Sequence, residues 1–170
     1  PYFQADFSYA LDPDFKQKRA KYKLTEDVEY IYIETKKLTF QLSKAHLYLK
    51  VFDVKGVLLS KDEKGFHWEE NADFGGESVK MSKYVAEDEC FFGLGDKTIA
   101  QNIRQHRFSN WNTDEYGYRK GTDPLYKSIN FYCAQSTNKS YGIYFDNSFS
   151  THFDIARERH DILSFWADGG

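Results

Sequence analysis

The chain has 170 residues, a length that suits one domain, residues 1–170, with a hydrophobic core that needs no metal or disulfide framework. Its formal net charge is −3, from 23 basic and 26 acidic residues, so the average surface offers no electrostatic attraction for nucleic acid or an anionic membrane. The two cysteines, Cys90 and Cys133, are too few for a disulfide scaffold, and the sequence leaves open whether they pair. No apolar run approaches the roughly 18 residues that a membrane helix needs.

Aromatic residues make up 18% of the chain, and this bias favours β-strands because large rings pack well on a pleated surface. We therefore expect little helix. In the first thirty residues, aromatic patches broken by the turn-forming Asp12-Pro13-Asp14 indicate one or two edge strands. The basic run between Lys16 and Lys23 alternates with uncharged residues, which indicates a solvated face or an edge-protecting strand rather than a nucleic-acid site.

From Val28 onward the strand pattern strengthens. Residues 28–33 carry apolar side chains on both faces of a strand, so both faces should be at least partly covered. Residues 38–42 and 47–51 alternate apolar with polar side chains, which predicts a hairpin with one buried face. Asp53-Val54-Lys55-Gly56 supplies a turn.

The next segments continue the pattern. A polar stretch, residues 60–65, precedes a short strand candidate at 66–68, and residues 71–76 form a loop before the strand pattern resumes at 79–85. Apolar segments therefore recur about every 8 to 12 residues, which is the spacing of a β-sandwich. Gly93 and Gly95 then leave room for a bulge or a close backbone approach.

A long loop rich in Trp, Asn, Asp, Tyr and Gly, residues 108–127, is the most specialised part of the chain. Residues 97–107, just before it, allow a helical turn but no long helix. Loops of this kind on a rigid sheet often hold binding groups. Strand patterns follow the loop at residues 129–133, 141–145, 151–155 and 162–166.

Motifs in and around this loop share their order and spacing with one known family; they are Phe92-Gly93-Leu94-Gly95-Asp96, Trp111-Asn112-Thr113-Asp114, Thr122-Asp123-Pro124-Leu125-Tyr126-Lys127-Ser128 and Tyr141-Gly142-Ile143-Tyr144-Phe145-Asp146-Asn147. Together they resemble the N-terminal domain of glycoside hydrolase family 31, the α-glucosidase and α-xylosidase family. The resemblance covers nearly the whole chain from about Val28. Two departures are conservative: Asp96 stands where the family usually has Glu, and Phe92 where Tyr is frequent.

This resemblance implies a galactose-mutarotase-like β-sandwich, a fragment of a larger enzyme, followed by a catalytic (β/α)8 barrel. The family's nucleophile and acid lie on that barrel, so the resemblance implies no catalytic residue within this chain and no activity for the domain alone. It further implies two partners, namely the barrel of the same polypeptide and an α-linked oligosaccharide substrate.

The resemblance also implies that Asp114 is directed at the substrate, where its carboxylate accepts hydrogen bonds from sugar hydroxyls near the leaving-group side of the scissile bond. Its neighbours have weaker, supporting roles. Asn112 and Thr113 are interpreted as holding the loop backbone, and Tyr116 either lines the sugar entrance or faces solvent. Trp111 either stacks on a sugar or anchors the loop by burying its ring, and we favour anchoring.

Other residue patterns argue against competing chemistry. Adjacent acids such as Asp62-Glu63 point to opposite faces of a strand and cannot directly form the close carboxyl pair of a retaining glycosidase. The five histidines show no ligand spacing, so we expect neither a metal nor a cofactor. His46 and His152 are expected in strands, which leaves open a mutarotase-type pairing of a histidine with an acid on one sheet face.

Two other functions stay open on the sequence. The chain could be a free-standing carbohydrate-binding sandwich with Trp111, Tyr116 and Tyr118 as an aromatic platform, or a purely structural module that stabilises a barrel or forms a homo-oligomer. The chain starts at Pro1 without Met, as one does after removal of a targeting segment, so cytoplasmic, periplasmic and secreted locations are all compatible with it.

Overall fold

The computed structural model describes residues 8, 10–12, 14–15, 20–70 and 76–169, and all the regular secondary structure in these ranges is β-strand. The all-β prediction is thereby confirmed. Nowhere in these ranges is there a helix long and apolar enough to cross a membrane. The strands, in chain order, are β1 (Tyr22–Glu26), β2 (Tyr30–Thr35), β3 (Leu38–Ser43), β4 (Leu49–Asp53), β5 (Leu58–Glu70), β6 (Glu77–Tyr84), β7 (Cys90–Gly95), β8 (His106–Asn110), β9 (Ser128–Gln135), β10 (Ser140–Tyr144), β11 (Thr151–Ile155) and β12 (Ile162–Ala167).

The strands form two antiparallel sheets that face each other. One sheet has nine strands in the order β1-β2-β3-β4-β5-β6-β12-β11-β8, and the other has three in the order β10-β9-β7. The core cluster joins Phe91 and Tyr132 of the small sheet to Met81, Phe153 and Phe165 of the large one. The small sheet therefore packs over the β6-β12-β11-β8 half of the large sheet, and the molecule is the predicted β-sandwich.

Aromatic rings fill the centre of this core. Strand alternation turns Phe153 and Phe165 to the same side of adjacent strands, where they pair in register and stack with ring centroids 5.8 Å apart. Tyr132 from the facing sheet meets both rings edge-on, at 6.5 and 6.4 Å. Edge-on and stacked pairs are the favoured aromatic geometries. These ring contacts therefore hold together the two sheets that contain β8 and β9, the strands joined by the long loop.

The other half of the nine-stranded sheet differs from the sequence prediction. The hairpin of β3 and β4 forms as predicted, with Leu42 opposite Leu49, but every residue in both strands is only half-buried, so the predicted buried face is wrong. The reason is that the three-stranded sheet does not reach this half, and the core cluster holds no residue of β1 to β4 among those described. The prediction that β2 would be partly covered on both faces is confirmed.

Strand β5 is longer than its sequence suggests. Its 13 residues include the polar stretch 60–65, which the sequence had set apart from the short strand at 66–68. Tertiary partners satisfy the charges: the Asp62 carboxylate meets Lys83 Nζ at 2.7 Å in the interior, and Glu63 accepts a hydrogen bond from Ser82 at 2.7 Å. Because these charges are paired, a polar run can continue as a strand.

The segment before the long loop also has different boundaries. Strand β8 pairs with β11 through Asn110, so the loop begins at Trp111 rather than at Phe108. The helical turn allowed for residues 97–107 is absent. Instead, buried Ile103 donates its backbone N–H to Phe91 O at 2.8 Å, which holds this segment against β7.

The N-terminal prediction can be checked in part. Strand β1 is a fully exposed edge strand that contains Lys23, in agreement with an edge-protecting role for the end of the basic run. Part of that run and several early aromatic residues lie outside the described residues, as does most of the predicted loop at 71–76; these are Phe3, Phe7, Tyr9, Lys16, Lys18, Arg19 and residues 71–75.

The close approach predicted for the two glycines of β7 is present. The register between β7 and β9 shifts between Gly93 and Gly95, and both residues have positive φ, 125° and 84°. A Cβ on Gly95 would collide with the carbonyl oxygen of Lys127, the residue that ends the long loop. Only glycine therefore fits where β7 meets the end of the loop.

Replacing Gly95 by Ala should destabilise the fold by about 1–3 kcal/mol more than replacing Gly56 by Ala, because a collision is added to the strain. The φ angles are alike, 84° and 80°, so the backbone strain of roughly 1–2 kcal/mol is common to both variants. A Cβ on Gly56 would meet nothing within 4 Å. Urea unfolding of both variants measures the difference, and equal losses would contradict the close approach.

Candidate functional site

The long loop, residues 111–127, joins β8 to β9 and is closed at its neck by two hydrogen bonds. Thr113 N donates to Leu125 O at 2.9 Å, and Ser128 N donates to Asn112 Oδ1 at 2.9 Å. Leu125 is 4% exposed and fixes the returning limb by burial. Asn112 and Thr113 thus lie at the neck, one or two residues before Asp114.

A buried ion pair holds the base of the loop. Lys97 Nζ lies 2.6 Å from Asp123 Oδ1, and it also donates to Asn110 Oδ1 at 3.0 Å and to Ser109 O at 3.3 Å. Burial is the larger influence on this ammonium group and lowers the pKa of Lys97, while the Asp123 carboxylate acts in the opposite direction. The second Asp123 oxygen, Oδ2, accepts the backbone N–H of Ser109 at 2.5 Å.

Thr98 adds a third attachment on the same side. Its hydroxyl donates to Thr122 O at 3.2 Å and accepts the backbone N–H of Gly121 at 2.8 Å. The loop folds back on itself nearby, where Thr122 Oγ1 accepts the backbone N–H of Arg119 at 2.9 Å. The returning limb is therefore tied along its length to the segment that follows β7.

In contrast, the part of the loop that begins at Asp114, directly beyond the neck, is open to solvent, and we call this part the tip. Asp114 is exposed, and among the described residues no hydrogen bond reaches its carboxylate. The ring of Tyr126 packs edge-on against Tyr118 at 6.3 Å. Partial desolvation, followed by the negative charges of Asp114 and Glu115, raises the pKa of Tyr126. The tip thus presents carboxylate acceptors beside phenol rings, a combination that suits a ligand rich in hydroxyl groups.

The anchoring role favoured for Trp111 is wrong in this structure. Its side chain is 58% exposed, and Leu125 supplies the buried apolar contact instead. Tyr116 is 94% exposed, so its place at a sugar entrance stays a prediction. The roles assigned to Asp114, Asn112 and Thr113 toward a substrate also stay predictions, although the neck geometry fits loop support by Asn112 and Thr113.

Sequence reasoning missed the structural roles of Lys97, Thr98, Asp123 and Leu125. No pattern within the sequence marks these residues, because each acts through a partner more than ten positions away. The one available signal was a lysine directly after the Gly-Leu-Gly-Asp motif, which by itself reads as a surface charge.

A shallow pocket of about 320 Å³ lies beside this base, between β7 and the 97–103 segment. Its lining includes Phe92, Gly93, Gly95 and Ile99. None of its lining residues belongs to the tip of the loop. The pocket therefore does not share residues with the exposed acidic and aromatic groups.

The histidine question raised by the sequence has a structural answer. His46 lies in a turn rather than in a strand, because the chain reverses there between β3 and β4. His152 does lie in β11 and meets an acid, with Nε2 3.0 Å from Asp168 Oδ2, but its Nδ1 lies 3.0 Å from Ser109 Oγ. Its ring also stacks on Trp166 at 5.1 Å. Both ring nitrogens of His152 therefore have hydrogen-bond partners within the domain.

Other reactive groups are isolated. Across the described ranges, no three His, Cys, Asp or Glu side chains are grouped so that they could hold a metal ion. Cys90 and Cys133 are both free and lie on adjacent strands, two residues out of register, because Cys133 is paired with Phe92.

Residues 2–154 match the sequence profile of the glycosyl hydrolase 31 N-terminal galactose mutarotase-like domain. The chain is 28% identical over its whole length to alpha-glucosidase 2 of Bacillus thermoamyloliquefaciens, of which it covers 21%. It is 27% identical over 89% of its length to the isomaltosyltransferase of Sporosarcina globispora, of which it covers 14%. The chain thus spans about a fifth or less of these relatives.

The fold is also similar to that of a known protein of this kind. The structure superposes with a TM-score of 0.84 on the glycoside hydrolase family 31 dextranase of Flavobacterium johnsoniae in complex with isomaltotriose. The two are 32% identical, and the match covers 100% of this chain and 20% of that one.

Proposed function

The chain belongs to the glycosyl hydrolase 31 family, as its N-terminal galactose mutarotase-like domain, and on this premise we propose that it serves a retaining α-glycosidase. In this proposal the domain packs on a catalytic barrel of the same polypeptide. It lends the tip of the loop to the wall of the substrate site. The enzyme hydrolyses α-glucosidic or α-xylosidic bonds, in keeping with the alpha-glucosidase and the isomaltotriose-bound dextranase among the similar proteins.

The observation that carries the proposal is the position of Asp114. Its carboxylate is exposed and has no hydrogen-bond partner among the described residues, yet it lies one residue from a neck that two hydrogen bonds close. An ionised carboxylate is an acceptor only, and sugar hydroxyls are donors. One such charged hydrogen bond contributes about 1.5–3 kcal/mol.

The same proposal assigns both catalytic carboxyls to the barrel. A retaining mechanism needs two carboxyl groups about 5–5.5 Å apart, one as nucleophile and one as acid and base. The adjacent acids Asp62 and Glu63 are engaged elsewhere, with Lys83 at 2.7 Å and Arg159 at 3.1 Å. We therefore expect the isolated domain to release no sugar from an α-glucoside.

A free-standing carbohydrate-binding module is the second candidate, because Trp111, Tyr116 and Tyr118 are all exposed on one loop. An aromatic platform of this kind binds oligosaccharides without help from another domain. The two candidates differ in what the isolated chain can do.

Calorimetric titration of the isolated chain with maltose and isomaltose separates them. We expect no binding at millimolar sugar, since one charged hydrogen bond of about 1.5–3 kcal/mol falls short of the roughly 4.1 kcal/mol that a Kd of 1 mM requires. A Kd of about 1 mM or tighter would favour the second candidate. In that case Tyr116→Ala should abolish the binding, while Trp68→Ala, which alters another exposed aromatic ring, on β5, should not.

A further inference from the structure

We propose that the buried Lys97–Asp123 ion pair positions the Asp114 loop for the substrate, so that it sets catalytic efficiency without touching the sugar. The inference rests on the proposed function of Asp114. Lys97 and Asp123 are therefore positioning residues, and their effect on the reaction should pass through Asp114.

The first support is where the ammonium group sits. The Lys97 side chain is 5% exposed, and its three acceptors come from two different parts of the chain: the end of β8, through Ser109 O and Asn110 Oδ1, and the returning limb of the loop, through Asp123 Oδ1. One buried group thus fixes the distance between the strand that begins the loop and the limb that ends it.

The second support is the use of an edge strand. Strand β8 is the last strand of the nine-stranded sheet, so one side of its backbone has no neighbouring strand. Asp123 Oδ2 accepts the Ser109 N–H on that side. The returning limb therefore lies along the sheet edge, and the carboxylate satisfies the backbone group and the lysine together.

The third support is that hydrogen bonds connect the ion pair to the interior of the sandwich. Asn110 Nδ2 donates to Asn130 Oδ1 at 2.9 Å, and buried Thr151 donates to the same oxygen at 2.7 Å. Asn130 Nδ2 in turn donates to Asn147 O at 2.8 Å. This network runs from β8 through β9 to β11, so the base of the loop is connected by hydrogen bonds to both sheets. Satisfied buried networks of this kind impose one conformation.

Stability alone is a weak explanation for the pair. Taking a lysine and an aspartate out of water costs about as much as their attraction returns, so buried ion pairs are poor stabilisers compared with apolar contacts. A fixed geometry is worth more at a site where a displacement of about 1 Å can cost on the order of 100-fold in rate. Asp114 lies a single residue from the neck, so a displacement of the base of the loop should also displace the Asp114 carboxylate.

The test is a double-mutant cycle in the full-length enzyme that carries this domain. Lys97→Met should lower kcat/KM about 10-fold in the wild-type background and less than about 2-fold in the Asp114→Ala background, because the loss passes through Asp114. Lys97→Arg should restore part of the loss. The matched control is Lys83→Met, which breaks another interior ion pair, with Asp62 at 2.7 Å, far from the loop in sequence. It should destabilise the enzyme at least as much and leave kcat/KM unchanged.

Each outcome decides a different point. Wild-type kcat/KM in Lys97→Met, with a loss in Asp114→Ala, would overturn this inference and leave the proposed function standing. Equal losses for Lys97→Met in both backgrounds would also overturn it, since they would show an effect independent of Asp114. No loss in Asp114→Ala would instead overturn the proposed function. If Lys97→Met does not fold, Asp123→Asn, which keeps the shape and removes the charge, replaces it in the same cycle with the same expected values.

Discussion

The Lys139→Met variant should lose about 3–5 kcal/mol of unfolding free energy, because it leaves a buried carboxylate without its cation. Glu89 is fully buried, with Oε1 2.7 Å from Lys139 Nζ, and its other oxygen accepts the Ala86 N–H at 2.6 Å. The same ammonium group donates to Leu59 O at 3.0 Å and so links the turn between β9 and β10 to the nine-stranded sheet. Urea unfolding of the 170-residue chain, extrapolated to water, measures the loss.

Two further variants show that the loss comes from the unpaired charge. Lys23→Met removes an exposed ion pair with Glu34 at 3.7 Å and should change the unfolding free energy by less than about 0.5 kcal/mol. The double variant Glu89→Gln with Lys139→Met removes both charges and should regain at least half of the loss. If Lys139→Met were no less stable than Lys23→Met, the buried ion pair would not contribute to the stability of the fold.

The strands that build the core could be predicted from the sequence because one face of each is buried. In β11 and β12 the apolar Phe153 and Phe165 are buried in the core, and Thr151–Ile155 was predicted with the bounds that the structure has. By contrast, the polar residues of β5 gave no strand signal. Their charges are neutralised by Lys83 and Arg159, which are distant in sequence, so local pattern cannot show that they are tolerated.

The burial of the β3–β4 hairpin could not be predicted for a different reason. Its alternation is real, but burial depends on which half of the large sheet the small sheet covers. That choice is made by the contact of Tyr132 with Phe153 and Phe165, far along the chain. An alternating pattern shows that one face of a strand is apolar enough to be buried, but it does not show whether another sheet covers that face.

The candidate site divides in the same way. The exposed tip with Asp114 could be found because its residues form contiguous motifs. The base could not, because Lys97 and Asp123 are 26 positions apart and meet only in the folded chain. For Trp111, residue type favoured burial, but the neck is closed by two hydrogen bonds and by Leu125, so the large ring is not needed as an anchor.

Replacing Asp114 by Ala in the full-length enzyme should lower kcat/KM by about 10- to 100-fold, the equivalent of one charged hydrogen bond to the substrate. The fold should be unaffected, since the carboxylate is exposed and accepts no hydrogen bond from a described residue. The neighbouring acid is the matched control. Glu115 Oε1 accepts the Gly117 N–H at 3.2 Å, an internal contact that the amide oxygen of Glu115→Gln can keep, so this variant should stay within about 3-fold of wild type.

The decisive measurement is kcat/KM of the Asp114→Ala enzyme on maltose and isomaltose, beside wild type and Glu115→Gln. A loss of about 10- to 100-fold on the disaccharide that the enzyme prefers, with Glu115→Gln near wild type, is the predicted result. Wild-type kcat/KM for Asp114→Ala on both disaccharides would contradict a contribution of this loop to the substrate site.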